Sequence, residues 1–422
     1  MLHPGVQSGL TVPFPSPPRG GTGIDDVTTA EAGLRPQSGT APRVSLMVEE
    51  DTVVVQGAPV AHIRNNPDVC FVAPMPARVA RISLLQGHKV SEIVFFHEPD
   101  GDVVSHDTTD VKTEPGLRRL MQRSGFWTWL RRRPFGGMPS ADERPAAIVV
   151  MAADTRPFAP DPRLALEGRE EALCRGLTAL RLLTDGPVFL CQEAGAALIE
   201  STEARRIRVI DTGPRHPQAA AGLCIHRYYP AGIDTPVWDL HAEDVAALGT
   251  LLATGRLPMK RLVSVGGPAL RESRLVRAQA GADLRGLTHR HVLPGPHKLL
   301  SGSVLDGHPA HWLAPRHRQV TVLPRDTLPK RPHWLIAALT QSASPKPVIP
   351  TAALDQAFAG TLPAANFLRV LSAGDDETAM KMGVLSLLEE DIALADYVLG
   401  GEAHLPELLR GMLDRIRTEF SA

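Results

Sequence analysis

Cysteine is scarce. The chain of 422 residues has four, Cys70, Cys174, Cys191 and Cys224, and no two stand in a CxxC or CxxxxC pair. Iron-sulfur clusters and structural zinc need closely spaced thiolates, so neither is expected. The four are expected to be reduced, buried, small hydrophobes. Long apolar runs are also missing. AAIVVMAA (146–153) stops at Asp154, far short of the roughly 18 residues of a membrane-spanning helix. The start, MLHPGVQSGLTVPFP, has no basic lead and no apolar stretch of secretory length, so the chain is expected in the cytosol. Excess charge of one sign is absent as well. Lys+Arg 45 against Asp+Glu 46 leaves a net charge of -1, which gives no electrostatic reason to expect a nucleic acid partner. Finally, no GxGxxG or GxxxxGK[ST] occurs, and the turn after AAIVVM reads AADTRPFAPDP without a glycine. The backbone cradle for a pyrophosphate at a helix N-terminus is therefore lacking. With no GxSxG, a hydrolase has no nucleophile elbow either.

Turn formers are plentiful, with Gly 36 and Pro 38, and they cut the chain into zones. From Arg43 to Val104 apolar residues alternate in short runs, which predicts a small β sandwich or barrel. VEEDTVVVQGAPV followed by FVAPMPARVARI resembles the barrel-sandwich of biotinyl and lipoyl domains. A carrier of that kind needs a lysine at a hairpin tip, and Met75-Pro76-Ala77 offers none. Met380-Lys381-Met382 imitates a biotinylation site but lies in a stretch of helical spacing. In the middle third, RPAAIVVMAAD is followed by a helical stretch with Leu166, Leu173, Leu177, Leu180 and Leu183 on one face. PVFLCQ, a second helical stretch and IRVID come next. Strands alternating with helices predict a Rossmann-like parallel sheet. Residues 261–335 return to short β runs with one helix near Ala282–Leu287, and Gly266-Gly267-Pro268 reads as a tight turn. Beyond the Pro-rich 344–350, Leu385, Leu388, Ile392, Ala395 and Val398 form a helical stripe with Glu389, Glu390 and Asp391 opposite. A last amphipathic helix covers Pro406–Phe420. The expected division is 1–110, 111–260, 261–335 and 336–422, within a multidomain α/β fold.

Three side-chain groups invite a chemical reading, and each has a plainer one. His289, His291, His297, His308, His311 and His317 cluster among prolines and glycines, a setting that does not fix metal-ligand geometry, so surface or interface positions are expected. Asp239, His241, Glu243 and Asp244 read as a helix start, with Asp239 or His241 as N-cap and two carboxylates in the first turn. Phe126, Trp127, Trp129 and Phe135 crowd beside Arg131, Arg132 and Arg133 in SGFWTWLRRRPFGG, a composition that suits an interface or interdomain packing. No catalytic, cofactor-binding or metal-ligating residue is assigned.

That last segment, extended to GFWTWLRRRPFGGMPSADERPAAIVVMAADTRPFAPDP, resembles the NqrA family, the A subunits of the sodium-translocating NADH:quinone oxidoreductases. The resemblance recurs in TPVWDLHAEDVAALGTLLATGRL, GPALRESRLVRAQAGADLRGL, LLSGSVLDG and LSLLEEDIALADYV. It begins at Gly9-Leu10, includes Gly33-Leu34-Arg35-Pro36, and so runs in order over nearly the whole chain. It implies a biotinyl/lipoyl-like domain, a Rossmann-like domain, a β-grasp domain of the soluble-ligand-binding (SLBB) type and a helical C-terminus. It also implies a peripheral subunit, on the cytoplasmic side of the bacterial inner membrane, of a six-subunit complex that oxidises NADH, reduces ubiquinone and exports sodium. FMN, FAD, riboflavin and iron-sulfur centres would then sit in the partner subunits, with no cofactor bound tightly here and ubiquinone as a ligand this chain could help hold. The sequence departs from the family at Ala395 and Leu399, where two cysteines commonly fall, and in the Pro/Gly-rich PFPSPPRGGTG. Two alternatives stay open: a flavin- and NADH-binding subunit like the C subunit of the Rnf complex, faintly echoed by Tyr229-Pro230-Ala231-Gly232, and a divergent stand-alone binding protein.

Overall fold

The computed structural model describes residues 8–14, 19–36, 42–195, 197–199, 207–325, 349–401 and 403–420. The alternating runs at the front of the chain are strands. After β1 (Arg19–Val27) come β2 (Glu31–Leu34), β3 (Val44–Leu46), β4 (Val53–Val54), β5 (Pro59–Ile63), β6 (Asn66–Val72), β7 (Ala77–Leu85) and β8 (Lys89–His97). They make two antiparallel sheets, ordered β2-β8-β7-β4 and β3-β5-β6. Because side chains alternate across a strand, each sheet turns one apolar face inward. Val60, Phe71, Met75, Val79, Ile93 and Phe95 fill the shared core. Met75 is therefore a buried packing residue in the link from β6 to β7.

Past α1 (Glu114–Arg123), a second layer forms from β9 (Arg131–Arg133), β10 (Ala147–Ala152), β11 (Val188–Glu193), β12 (Arg208–Thr212) and β13 (Val237–His241). Its order is β12-β11-β10-β13-β9, all parallel except β9, which runs antiparallel to β13. Every residue of β10 is buried, as a strand covered on both faces requires. One face takes α2 (Pro162–Leu166), α3 (Glu170–Leu180) and α5 (Ala242–Thr254), and the other takes α4 (Ala221–Tyr228). The five leucines predicted on one helical face are all buried there, but Gly168, at φ 71, breaks the segment into α2 and α3. At Gly249 the backbones of α3 and α5 meet so closely that any Cβ would collide with the Ala172 carbonyl. The second helical stretch, predicted between β11 and β12, falls mostly on 196 and 200–206, outside the described residues. Residues 194–195 and 197–199 between those strands are not helical.

The third sheet holds β14 (Lys260–Gly266), β15 (Ser273–Gln279), β16 (His297–Ser301), β17 (His308–Pro309) and β18 (Gln319–Pro324), with α6 (Leu284–Thr288) packed on it. Gly267, at φ 120, lies in the turn from β14 to β15, as predicted. The order is β1-β15-β14-β18-β16-β17, so β1, from the front of the chain, lies parallel to β15 at the sheet edge. Pairing across some 250 residues leaves no trace in local sequence, which is why contiguous zones do not reveal it.

The last part is helical: Ala352–Gln356, Ala364–Ala373, Asp376–Lys381, Glu389–Val398 and Leu405–Phe420 surround Phe358, Phe367, Leu388, Ile392, Leu409 and Met412. Lys381 ends a helix, so the imitation carrier motif has no hairpin. The predicted stripe is buried through Ala395 with Val398 half-buried, yet Asp391, expected on the opposite face, is fully buried too. The reason is an ion pair, described below. The Pro-rich 344–350 lies outside the described residues except for its last two.

Candidate functional site

Asp239 stands in mid-strand on β13, fully buried. Its carboxylate accepts from Arg131 (Nε 3.0 Å, Nη2 3.1 Å), from Arg133 Nε (3.1 Å) and from Arg316 Nη2 (2.5 Å). Arg133, buried as well, donates onward to Asp391 (2.5 Å) and to the Ser386 carbonyl (2.7 Å), while Arg131 pairs with Glu390. Asp391 is completed by the backbone amides of Gly222 and Leu388, both 2.8 Å away. Arg131, Arg133 and Arg316 thus balance Asp239, Glu390 and Asp391, three charges against three. Burial alone would raise the Asp239 pKa. The guanidiniums around it, Arg131 foremost, outweigh that and hold it far below the usual carboxylate range. A second set joins α5 to the third sheet: Arg318 donates to Glu243 (3.1 Å) and Asp244 (2.6 Å), and Glu243 accepts from the Leu262 amide (2.9 Å).

The helix-start reading of this segment holds in part: His241 occupies the N-cap position, without a side-chain capping bond, and Glu243 and Asp244 stand in the first turn. Asp239, however, is a strand residue, and Glu243 and Asp244 are buried ion-pair partners. A strand-to-helix junction carries the same residue types whether its acids cap a helix or face arginines from other units.

The strand order reverses between β10 and β13, the place where an open α/β sheet ordinarily takes a ligand at its carboxyl edge. Here that crevice is filled from within. Arg156, just after β10, donates to Asp154 (Nη2, 2.5 Å) and to Asp306 of the third unit (Nη1, 2.9 Å). Gln319 Nε2 donates to the Pro157 carbonyl (2.6 Å). His216 Nδ1 lies 3.2 Å from Thr155 Oγ1, and His317 Nδ1 lies 2.8 Å from Ser301 Oγ. Burial, the largest influence, pulls both histidines down to about 4.

An open cavity lies elsewhere. A cleft of about 170 Å³ forms where the first, second and third units meet. Leu34, Phe71, Trp129, Met138, Met259 and Leu313 are among its apolar lining residues, and Arg35 and Arg261 are its cations. Arg261 is buried, with its guanidinium 4.0 Å above the Trp129 ring. Its Nη1 donates to the Pro315 carbonyl, and Nε stands 3.4 Å from Asp244, but neither Nε nor Nη2 has a hydrogen-bond acceptor. A buried charged donor left unmatched is costly, and burial pulls this guanidinium down to about 10. Behind the wall, Arg316 Nη1 donates to the Trp129 carbonyl (2.8 Å), linking cleft and ion network. The turn that brings Met138 into the cleft starts at Phe135, whose φ of 78 is a strained, left-handed value for a large side chain. Arg410 Nη1 pins it by donating to the Phe135 carbonyl (2.9 Å). An apolar slot with one under-bonded cation suits a flat apolar ligand bearing an acceptor oxygen.

The aromatic and arginine segment is interdomain packing, as predicted: Phe126, Trp127 and Trp129 are buried, and Arg131 and Arg133 reach the C-terminal helices. His289, His297, His308 and His311 are exposed, His291 and His317 half-buried, and among the described residues no His/Cys/Asp/Glu group could hold a metal ion. Cys70, Cys191 and Cys224 are buried, but Cys174 is partly exposed, which corrects the expectation for that thiol. Arg261 and Arg316 were not singled out in the sequence because no local motif marks them, and Asp391 looked like part of a solvated acidic face beside Glu389 and Glu390.

A family model described as "NqrA second alpha/beta domain" matches residues 112–257, and another, "NQRA C-terminal domain", matches 262–311. The A subunit of the Na(+)-translocating NADH-quinone reductase of Pasteurella multocida is 30% identical over 98% of this chain and 99% of its own. That of Tolumonas auensis is 34% identical over 89% and 91%. Among solved structures, an NAD+-reducing [NiFe]-hydrogenase in the air-oxidized state aligns with 73% of this chain and 64% of its own, at 12% identity and a TM-score of 0.40.

Asp239→Asn leaves buried arginines short of one carboxylate and is expected to destabilise the chain by about 3–5 kcal/mol. Glu377→Gln, in an exposed pair with Lys381, is expected to change stability by less than about 0.5 kcal/mol. Thermal scans of both variants compare the two directly. His216 and His317 take up protons near pH 6.5 when unfolded and only near 4 when folded. Stability is therefore full above pH 6.5 and falls as pH drops toward 4, by about 3 kcal/mol for each. Urea midpoints at neutral and mildly acidic pH measure this, and His317→Gln is expected to flatten the profile.

Proposed function

The chain belongs to the NqrA family, the A subunits of the Na(+)-translocating NADH-quinone reductases, and from that premise we propose that it serves as a peripheral subunit of the six-subunit complex, on the cytoplasmic side of the bacterial inner membrane. It is not catalytic alone. NADH oxidation, the flavins (FMN, FAD and riboflavin), the iron-sulfur centres and the sodium path belong to partner subunits. The ion pair of Arg156 with Asp306 at the carboxyl edge supports this reading, since a nucleotide entering there would have to displace it. Among the described residues no helix is long and apolar enough to cross a membrane.

Within that complex the chain contributes to ubiquinone binding through the cleft. The observation that carries this assignment is Arg261, buried against Trp129 with donors lacking acceptors, in a wall that is mainly apolar apart from it, Arg35 and Thr128. A quinone ring would stack beside Trp129 and offer a carbonyl oxygen to the guanidinium. The architecture is read as a barrel-sandwich unit at the front, a Rossmann-like unit over 111–260, a β-grasp unit over 261–335 to which β1 adds an edge strand, and a helical unit over 336–422.

Two experiments test these assignments. Mild-detergent purification of the tagged chain from its native membranes is expected to recover the membrane and flavin subunits with sodium-stimulated NADH:quinone reductase activity. Recovery of the chain alone would refute membership of the complex. Arg261→Met keeps the side-chain volume and removes the charged donor. It is expected to weaken binding of a short-chain ubiquinone, followed by Trp fluorescence, roughly ten- to hundredfold while leaving the fold intact. Unchanged affinity would remove the cleft from consideration.

A further inference from the structure

We infer that the tip of the β7–β8 hairpin is a membrane-docking element that seats this chain directly on an anionic lipid surface. This goes beyond membership of a complex, which requires only protein contacts.

At the tip, Leu84 and Leu85 are exposed at 38% and 54%, and every residue from Leu84 to Lys89 is open to solvent. Leu85 pairs with Lys89, so a short, closed turn holds the two leucines outward. Its Gly87 and His88 have φ 77 and 57. Three cations gather at the same end of the unit through backbone contacts. Arg43 bridges Lys89, the Val44 amide donates to the His88 carbonyl (3.0 Å), and the Arg64 amide donates to the Arg43 carbonyl (3.0 Å). Arg43, Arg64 and Lys89 are all exposed, and none forms an ion pair with another described residue. The single carboxylate on the hairpin, Glu92, is engaged by Arg81 and by Trp312 Nε1, each at 3.2 Å.

Exposed leucines on a convex tip with a collar of unpaired cations have the composition of an interfacial anchor. The apolar tip enters the boundary between headgroups and acyl chains while the cations meet anionic headgroups. A protein partner would favour a flatter surface with aromatic anchors. The placement also suits the cleft, because Pro42, one of its lining residues, directly precedes Arg43. A lipid-dissolved ligand would then reach the cleft from the membrane side. That last step rests on the quinone reading, whereas the docking itself does not.

Flotation of the purified full chain with vesicles tests the docking. Vesicles of phosphatidylethanolamine and phosphatidylglycerol are expected to carry the chain and neutral phosphatidylcholine vesicles to leave it behind, with added salt weakening the binding. Lys89→Gln and Arg43→Gln are each expected to cost about fivefold in vesicle affinity, and Leu84→Ser with Leu85→Ser at least about tenfold. Thermal midpoints check that these exposed changes leave the fold intact, and the single Lys89→Gln change suffices if the double serine variant does not fold. No binding to either vesicle, equal binding to both, or binding indifferent to all these changes would overturn the proposal. Binding to polyglutamate but not to vesicles, lost in the same variants, would also overturn it and assign the surface to an acidic polypeptide. Ubiquinone titration of the same variants separates this failure from that of the cleft.

Discussion

The carboxylate of Asp239 is the constraint on which the architecture turns. The sheets and the C-terminal helices could each bury an apolar face and still pack loosely, since hydrophobic contact is non-directional. Asp239 removes that freedom because Arg131, Arg133 and Arg316 must all converge on one buried point. Through Arg133 and Asp391 the same point sets the C-terminal helices, and through Arg316 it sets the third unit. Buried ion pairs add little net stability compared with an apolar filling, but breaking one leaves an unmatched charge, so they specify a single arrangement strongly.

That arrangement decides where the packed units leave an opening. It presses the third unit onto the carboxyl edge of the parallel sheet, where Arg156 and Asp306 occupy the usual ligand crevice. It leaves a gap further along, between the first unit, the Trp129 segment and β14, and makes Arg261 part of its wall. Arg261 keeps unmatched donors in the wall of this gap, and the left-handed Phe135 leads into it, although unmatched buried atoms and left-handed residues also occur away from the cleft, as at Tyr228 and Ala359.

Much was legible along the chain. The alternating runs of 43–104, the leucines from 166 to 183 and the stripe from 385 to 395 report which face is buried, because burial imposes the period of the element itself. The crowding of Trp129 with Arg131 and Arg133 marked the interdomain junction. Less legible were acids with two uses. Asp239, Glu243 and Asp244 look like a helix start, and Asp391 like a solvated face, because a side chain's chemistry is the same whether its partner is a helix amide, water or a distant guanidinium.

Local periodicity and turn residues are properties of neighbouring residues, so many of the strands and helices could be read from the chain alone, though not α1, β9 or α4. The pairing of β1 with β15, the convergence of three arginines on Asp239 and the cleft beneath Arg261 join residues 77 or more positions apart. Only the folded chain brings them within hydrogen-bonding distance. Electrostatic and packing forces act through space over a few ångströms, and separation along the chain does not encode that distance.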